Sequence, residues 1–377
     1  MDNLETLQQP RANGEQLKAN SKRLVLIMAG GAGTRFWPAS RESKPKQFLD
    51  ILGTGKSLLR QTFERCLGIT TADRIFVVTN AAYTAQVLTD LPELNAEQVF
   101  PEPSRNNTAP CIAYATLKLR TKFPDAVCLV APSDHLIADE ATFIRVVESG
   151  MQFAQEHAAL VTLGMTPTRP DTGYGYVQFE KEGEGGIHRV LRFTEKPDAE
   201  TAQEFLASGD YLWNSGMFIW SIRSILDAFQ DHAPGITALL SPGEHQYFTP
   251  DEPAFLAEHY PNTEKISIDY AILERASNVS VIPASFGWSD LGTWPALYEH
   301  KEADASGNVT IHGPVMLDQC SGTLVHTIAG KLVVASGLED FIVVNDDDVV
   351  LIFPKDQEQE VKRLREALKE QKLNQYL

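Results

Sequence analysis

The chain is poor in cysteine, has no long apolar run and carries no excess of positive charge. Only 4 of its 377 residues are cysteine, and Cys66, Cys111, Cys128 and Cys320 show no CxxC spacing. That excludes a disulfide-built scaffold, argues against a cysteine zinc site and suits a reducing compartment. No apolar stretch approaches the ~20 residues of a membrane-spanning helix. Residues 1–20 are polar and lack the apolar core of a secretory signal, so a loose or partly helical tail and a cytoplasmic location are expected. Against 33 Lys and Arg stand 50 Asp and Glu, a formal charge of −17. No nucleic-acid partner is expected, because phosphate neutralisation needs a basic surface. An anionic substrate must then be met by a local basic pocket. The length, with 43% hydrophobic and 22% charged residues, allows a large core and two domains.

The richest segment is 24-LVLIMAGGAGTRFWPASRESKPKQFLDI-51. Leu24–Met28 reads as a strand buried on both faces. Gly30, Gly31 and Gly33 follow at once, where a missing Cβ lets backbone approach a ligand and turn N–H groups toward phosphate. Arg35 and Lys46 add two positive charges within one loop. The pattern predicts a polyphosphate cradle. It is neither of the common nucleotide loops. Gly55-Lys56-Ser57 resembles the end of a Walker A loop, but Asp50 stands where that motif needs glycine. Gly31 and Gly33 fit a dinucleotide fingerprint, but Phe36 occupies its third glycine position.

Short apolar runs alternate with helical patterns through the first ~230 residues. Strands are expected at Leu24–Met28, Ile75–Thr79, Val127–Ala131, Leu160–Leu163 and Gly216–Trp220, and helices at 57–67, 109–120 and 141–156. Fully apolar strands between helices predict an α/β, mostly parallel, Rossmann-like sheet with helices on both faces. The texture changes near residue 300. Between 308 and 353, VTIH, GTLVHTI, KLVVA, FIVVN and VVLIF are punctuated by Gly and Asp, which predicts a small β-rich appendage. Val361, Leu364 and Leu368 then mark a terminal amphipathic helix. No repeat of solenoid period is evident. The expected division is a tail over 1–20, a catalytic domain over 21–300 and a small domain over 301–377.

The segment G30-G31-A32-G33-T34-R35-F36-W37-P38 followed by P45-K46-Q47-F48-L49 resembles the signature of the sugar-nucleotide pyrophosphorylases, in their guanylyltransferase branch. Further similar motifs run in order: 101-PEPSRNNTAPCIA-113, 132-PSDHLI-137, 171-DTGYGYV-177, 193-FTEKPD-198, 214-NSGMFIW-220, 267-SIDYAILE-274 and 287-GWSDLGTW-294. The resemblance covers about residues 22 to 360. It implies a nucleotidyltransferase that joins GTP and α-D-mannose 1-phosphate into GDP-mannose and pyrophosphate, with Mg²⁺ as cofactor. The family's long bacterial members carry a fused isomerase domain, which a chain ending at 377 is expected to lack.

Two other readings remain open: the same reaction with another sugar 1-phosphate or nucleoside triphosphate, or an inactive regulatory homologue. The attacking sugar phosphate is already an anion at neutral pH, so alignment and charge neutralisation are what the reaction needs. Arg35 and Lys46 are expected to hold the β- and γ-phosphates, with Arg41 and Lys44 either adding to the positive field or lying solvated. The resemblance pairs Asp134 and Asp290 around one Mg²⁺; helix capping is the plain alternative for each. His135 reads as orienting or structural. The resemblance places Gly30, Gly31, Gly33, Thr34, Asn107 and Thr108 at the nucleotide. It places Gly173, Glu195, Lys196 and Asn214 at the sugar phosphate, with the Gly173 N–H available to it. Tyr174 packs under the sugar or in the core, and Asp171 shapes a turn. Asn106 is an apparent insertion against the family's RNTAPA pattern and leaves the role of Arg105 open. The small C-terminal domain resembles the family's β-helical tail, so a homodimer is expected.

Overall fold

The computed structural model describes residues 22–377 except Ala32 and Ala329, so the expected tail over 1–20 lies outside the described residues. Its first ten strands are β1 (Arg23–Ala29), β2 (Ile75–Asn80), β3 (Val99–Glu102), β4 (Val127–Pro132), a short β5 (Leu136–Ile137), β6 (Leu160–Met165), β7 (Tyr176–Glu184), β8 (Ile187–Thr194), β9 (Tyr211–Ser221) and β10 (Val279–Ala284). Nine of these, all but β5, form one sheet in the order β3-β2-β1-β4-β9-β6-β10-β8-β7. Seven of the nine run the same way, and β8 and β9 run against them. The sheet is mostly parallel, as the fully apolar strands predict.

The sheet is buried on both faces because its strands are apolar on both. Along β1, Leu24 and Leu26 join one core while Val25 and Ile27 join the other. Ile112 and Leu119 of helix Thr108–Lys122, with Phe229 of helix Ile222–His232, cover the first face. Leu59 and Phe63 of helix Leu58–Cys66, with Phe143 and Val147 of helix Glu140–Glu156, cover the second. All four cysteines are buried free thiols. Among the described residues no helix is long and apolar enough to cross a membrane.

A two-residue strand β11 (Trp288–Ser289) pairs with β5 at the edge of the functional cleft. Beyond it come β12 (Val309–Ile311), β13 (Val315–Asp318), β14 (Leu324–Thr327), β15 (Val333–Ser336), β16 (Phe341–Asn345) and β17 (Val350–Pro354). Parallel pairs β12–β14–β16 and β13–β15 stack into a small β-helix, and β17 closes one edge antiparallel. Successive coils bring Leu324 opposite Ile342 and Val315 opposite Val333, an 18-residue step. The sequence hides this repeat because the preceding step, Val309 to Leu324, spans only 15 residues.

A third core joins this appendage to the first part of the chain. Phe36, Trp37, Leu291 and Trp294 pack there with Ile311, Leu324, Val344 and Val361. Trp294 is fully buried, its ring 4.8 Å from that of Phe36. Trp294→Ala is expected to cost about 3–5 kcal/mol, read as a shift of the urea unfolding curve.

Candidate functional site

The site lies where the parallel strands end, as open α/β sheets favour. Strands β1 and β4 are neighbours, with Met28 opposite Pro132, so the loops after them emerge side by side. The first is the glycine loop and the second carries Asp134. Gln47 Nε2 donates to the Ala29 carbonyl, 3.0 Å away, and pins the far arm of the glycine loop to the end of β1.

That pin sets Lys46, which is only 3% exposed. Its Nζ lies 3.0 Å from Asp134 Oδ2 and donates to the Asp290 carbonyl oxygen at 2.8 Å. One ammonium thus ties three distant segments together. Gly33 makes this possible: it has φ +59°, and a Cβ there would stand 2.3 Å from Lys46 Cβ. Its missing side chain therefore serves Lys46 packing. Gly31 has open space around the Cβ position, and Gly30 backs onto the Glu102 carboxylate. Thr34 opens the short 3-10 turn that carries Arg35. Arg35 is exposed and does not join Lys46; its Nη1 reaches toward the Gly292 carbonyl at 3.5 Å.

Burial alone would raise the Asp134 carboxyl, but Lys46 and His135 more than offset it and hold it below the ordinary carboxylate range. Neither Asp134 nor Asp290 caps a helix. The helix after Asp134 is capped by Asp139, and helix Trp294–Glu299 by Thr293. Asp290 Oδ1 instead accepts from the Tyr174 hydroxyl and from the Gly292 N–H, both at 2.9 Å. Among the described residues no three His, Cys, Asp or Glu side chains cluster for a metal. Lys46 draws Asp134 in by its carboxylate and Asp290 by its backbone carbonyl, so both acidic residues stand on the loops it joins; one or two carboxylates fit Mg²⁺, which completes its shell with phosphate and water. His135 is half-buried, and desolvation holds it below its usual range; its Nδ1 faces Trp288 Nε1 at 3.2 Å, an orienting contact.

Two cavities meet at Asp290 and share Gly173 and Tyr174 in their walls. The first, about 250 Å³, is lined by Thr108, Glu195, Lys196, Asn214 and Asp269. Lys196 Nζ bonds Glu195 Oε1 at 2.6 Å. Burial would lower the Lys196 ammonium, and Glu195 reverses this and raises it. Asn214 Nδ2 donates to Asp269 Oδ1 at 2.9 Å, and Asn214 Oδ1 accepts from Thr162 Oγ1 at 2.9 Å. The second cavity, about 550 Å³, is lined by Arg35, Arg169, Asp171, Thr293 and Lys362.

Several expectations need correction. The Gly173 N–H is not available to a ligand, because Asp171 Oδ1 accepts it at 2.8 Å, the turn-shaping role foreseen for Asp171. Gly175 is the glycine with no room for a side chain beside the smaller cavity: a Cβ there would meet Glu195 Oε2 at 2.3 Å. Arg41 is not part of a diffuse positive field, since it pairs with Asp346 and Asp348 of the appendage; Lys44 is exposed. Asn106 is a fully buried plug that donates to the Tyr260 and Thr263 carbonyls. This leaves Arg105 to bond the Tyr83 hydroxyl at 2.6 Å. Asn107 caps the helix that Thr108 begins, and Thr108 Oγ1 accepts the Ile268 N–H. Tyr174 lies between Trp213 and Trp288, with its hydroxyl on Asp290.

The cavity walls also hold Asp269, Arg169 and Lys362, which the sequence did not single out. Asp269 lay inside the SIDYAILE motif without a role. It opens a π-helical turn over Asp269–Leu273, the kind of distortion frequent at functional sites.

A cleft of cations and carboxylates beside a glycine loop suits transfer between phosphate esters, which sets the chain among Rossmann-like nucleotidyltransferases. Residues 24–307 match the family described as Nucleotidyl transferase, and the chain belongs to that family. Residues 315–368 match the MannoseP isomerase/GMP-like beta-helix domain. Xanthan biosynthesis protein XanB of Xanthomonas campestris pv. campestris is 39% identical over 350 residues, 92% of this chain and 73% of the relative. The mannose-1-phosphate guanylyltransferase of Escherichia coli is 37% identical over 366 residues, covering 93% and 74%. Among solved structures, a Thermus thermophilus protein described as mannose-1-phosphate geranyltransferase superposes with a TM-score of 0.83 at 32% identity, over 92% of this chain and 99% of that one. The chain is thus an enzyme whose relatives include named mannose-1-phosphate guanylyltransferases.

Burial, with Glu195 nearby, pushes the Asp269 carboxyl up to about 6. A carboxyl raised on folding binds its proton more tightly when folded, so stability falls as pH rises from about 4 to about 6 and stays lower above. Asp269→Asn keeps an acceptor for Asn214 and removes the charge. At pH 8 it is expected to be more stable than the parent by about 2 kcal/mol, and at pH 4 equal to it, in urea titrations. A difference independent of pH would contradict this.

Proposed function

We propose that the chain transfers GMP from GTP to α-D-mannose 1-phosphate, giving GDP-mannose and pyrophosphate. The observation that carries this is the Lys46 tie to Asp134 and the Asp290 carbonyl, set beside a cavity that combines Lys196 with Glu195, Asn214 and Asp269. Lys196 suits the sugar phosphate, and the two carboxylates and the amide suit its hydroxyls. A phosphate oxygen of the sugar attacks the α-phosphorus of GTP in line. The P–O bond to the β-phosphate breaks and pyrophosphate departs with the electron pair. No proton has to be removed from the nucleophile. Catalysis then consists of holding anions in line and neutralising their charge.

In this reading Gly30, Gly31, Gly33 and Thr34 face the nucleotide, with Asn107 and Thr108 shaping the far side of its site. Arg35 holds the departing phosphates. Lys46 orders the loop and answers charge at the transferred phosphate. Asp134 and Asp290 would hold Mg²⁺, which supplies Lewis-acid neutralisation of the phosphates when bound. Tyr174 keeps the Asp290 loop in place through its hydroxyl, and Gly173 holds the turn before it through Asp171. Residues 21–300 form the catalytic part and 301–377 the appendage. We also place a homodimer contact on the appendage, where Met316 and Val334 are neighbours across β13–β15 and both are exposed, as is Leu332.

A panel of nucleoside triphosphates against sugar 1-phosphates, read by pyrophosphate release, tests the assignment. GTP with mannose 1-phosphate should give the highest kcat/KM; a better pair would overturn it. Asp134→Asn should lower kcat by about 100-fold or more with the far-UV CD unchanged. For the dimer, the double change Met316→Glu with Val334→Glu should halve the mass seen by light scattering, and an unchanged mass would refute that contact.

A further inference from the structure

The cavity beside the Asp290 loop is lined by residues from both parts of the chain. Arg35 comes from the glycine loop, Arg169 from the loop after β6, and Lys362 from the second position of the terminal helix Val361–Glu370. We propose that Lys362 is a third cation for the departing pyrophosphate, so that the appendage completes the phosphate site as well as offering a contact surface. This rests on the nucleotidyl-transfer reading above.

The geometry gives the helix a fixed seat. Val361, next to Lys362, is buried in the same core as Phe36, Trp37, Leu291 and Trp294, residues that flank Arg35 and Asp290. Trp37 Nε1 donates to the Tyr376 carbonyl at 2.7 Å, past the end of that helix. Arg41, six residues after Arg35, is tied to Asp346 and Asp348. The terminal helix is thereby held against the turn that bears Arg35.

Charge supports the assignment. The cavity wall carries three cations, Arg35, Arg169 and Lys362, and three carboxylates, Asp171, Asp290 and Glu299. Arg169 is matched by Asp171 at 2.9 Å and by Glu299 at 3.8 Å. Asp290 is engaged by the Tyr174 hydroxyl and the Gly292 N–H. The cations left for a multiply charged anion are Arg35 and Lys362. They differ in kind: the guanidinium bonds two oxygens at once, while the ammonium acts as a point charge.

The test compares Lys362→Ala, Lys362→Glu and Lys362→Arg in both directions of the reaction. Lys362→Ala should raise KM for inorganic pyrophosphate and for GTP by about tenfold, the size of one charge-assisted contact, with Lys362→Glu worse and Lys362→Arg near the parent. KM for mannose 1-phosphate and for GDP-mannose should stay within about twofold, because the sugar cavity is lined by other residues. Calorimetric binding of inorganic pyrophosphate should weaken in parallel in Lys362→Ala. A parent enzyme active on GTP and mannose 1-phosphate, with pyrophosphate affinity unchanged in Lys362→Ala and Lys362→Glu, would overturn the role of Lys362 alone. An equal loss for all four substrates that Lys362→Arg does not restore would also overturn it, as a structural effect. A parent enzyme inactive on every pair would overturn the reading beneath it.

Discussion

The buried ammonium of Lys46 is the constraint on which the site depends. It is almost fully removed from water, so it needs a carboxylate and a carbonyl close by. Asp134 supplies the first and Asp290 the second. Those residues come from the end of β4 and from a loop more than 150 positions further on, so meeting the needs of one cation assembles the site. Removing either partner would leave the buried ammonium short of a contact, which gives the arrangement its stiffness. The fit also fixes Gly33, since no side chain can stand where Lys46 Cβ already lies.

The β-helical appendage reinforces the same loops from outside. Phe36 and Trp37 on one side and Leu291 and Trp294 on the other bury themselves in a core shared with Val344 and Val361. Arg41 adds an ion pair to Asp346 and Asp348. The loop bearing Arg35 and the loop bearing Asp290 are therefore held by one hydrophobic cluster. Loops that must present charge to a ligand are costly to order, and here the ordering is shared with the folding of the appendage.

Much of this was legible in the sequence. The alternation of Leu24, Val25, Leu26 and Ile27 with no polar break announced a strand buried on both faces. The position of Asp134 just past VCLVA placed it at a strand end, where parallel sheets bind ligands. What stayed hidden depended on partners distant in the chain. Nothing near Lys46 says that it will pair with Asp134. Asp171 looked like a turn residue, and it is one, but only the folded loop shows that it takes the Gly173 N–H. The 18-residue step of the β-helix was masked by one shorter coil. Lys362 resembled any charge on an amphipathic helix until packing set that helix against Arg35. Asp269 was passed over because its burial beside Glu195, the source of its raised pKa, is a tertiary fact.

The central claim is that Lys46 orders a site in which Asp134 and Asp290 share a divalent cation with the phosphates of a nucleotide. A crystal structure of the full chain with Mg²⁺ and GDP-mannose tests it most directly. The account predicts a metal ion contacting both carboxylates, the nucleotide phosphates within hydrogen-bonding reach of Lys46, and the hexose beside Glu195, Asn214 and Asp269. A nucleotide bound away from the glycine loop, or a metal held without Asp134 and Asp290, would contradict it.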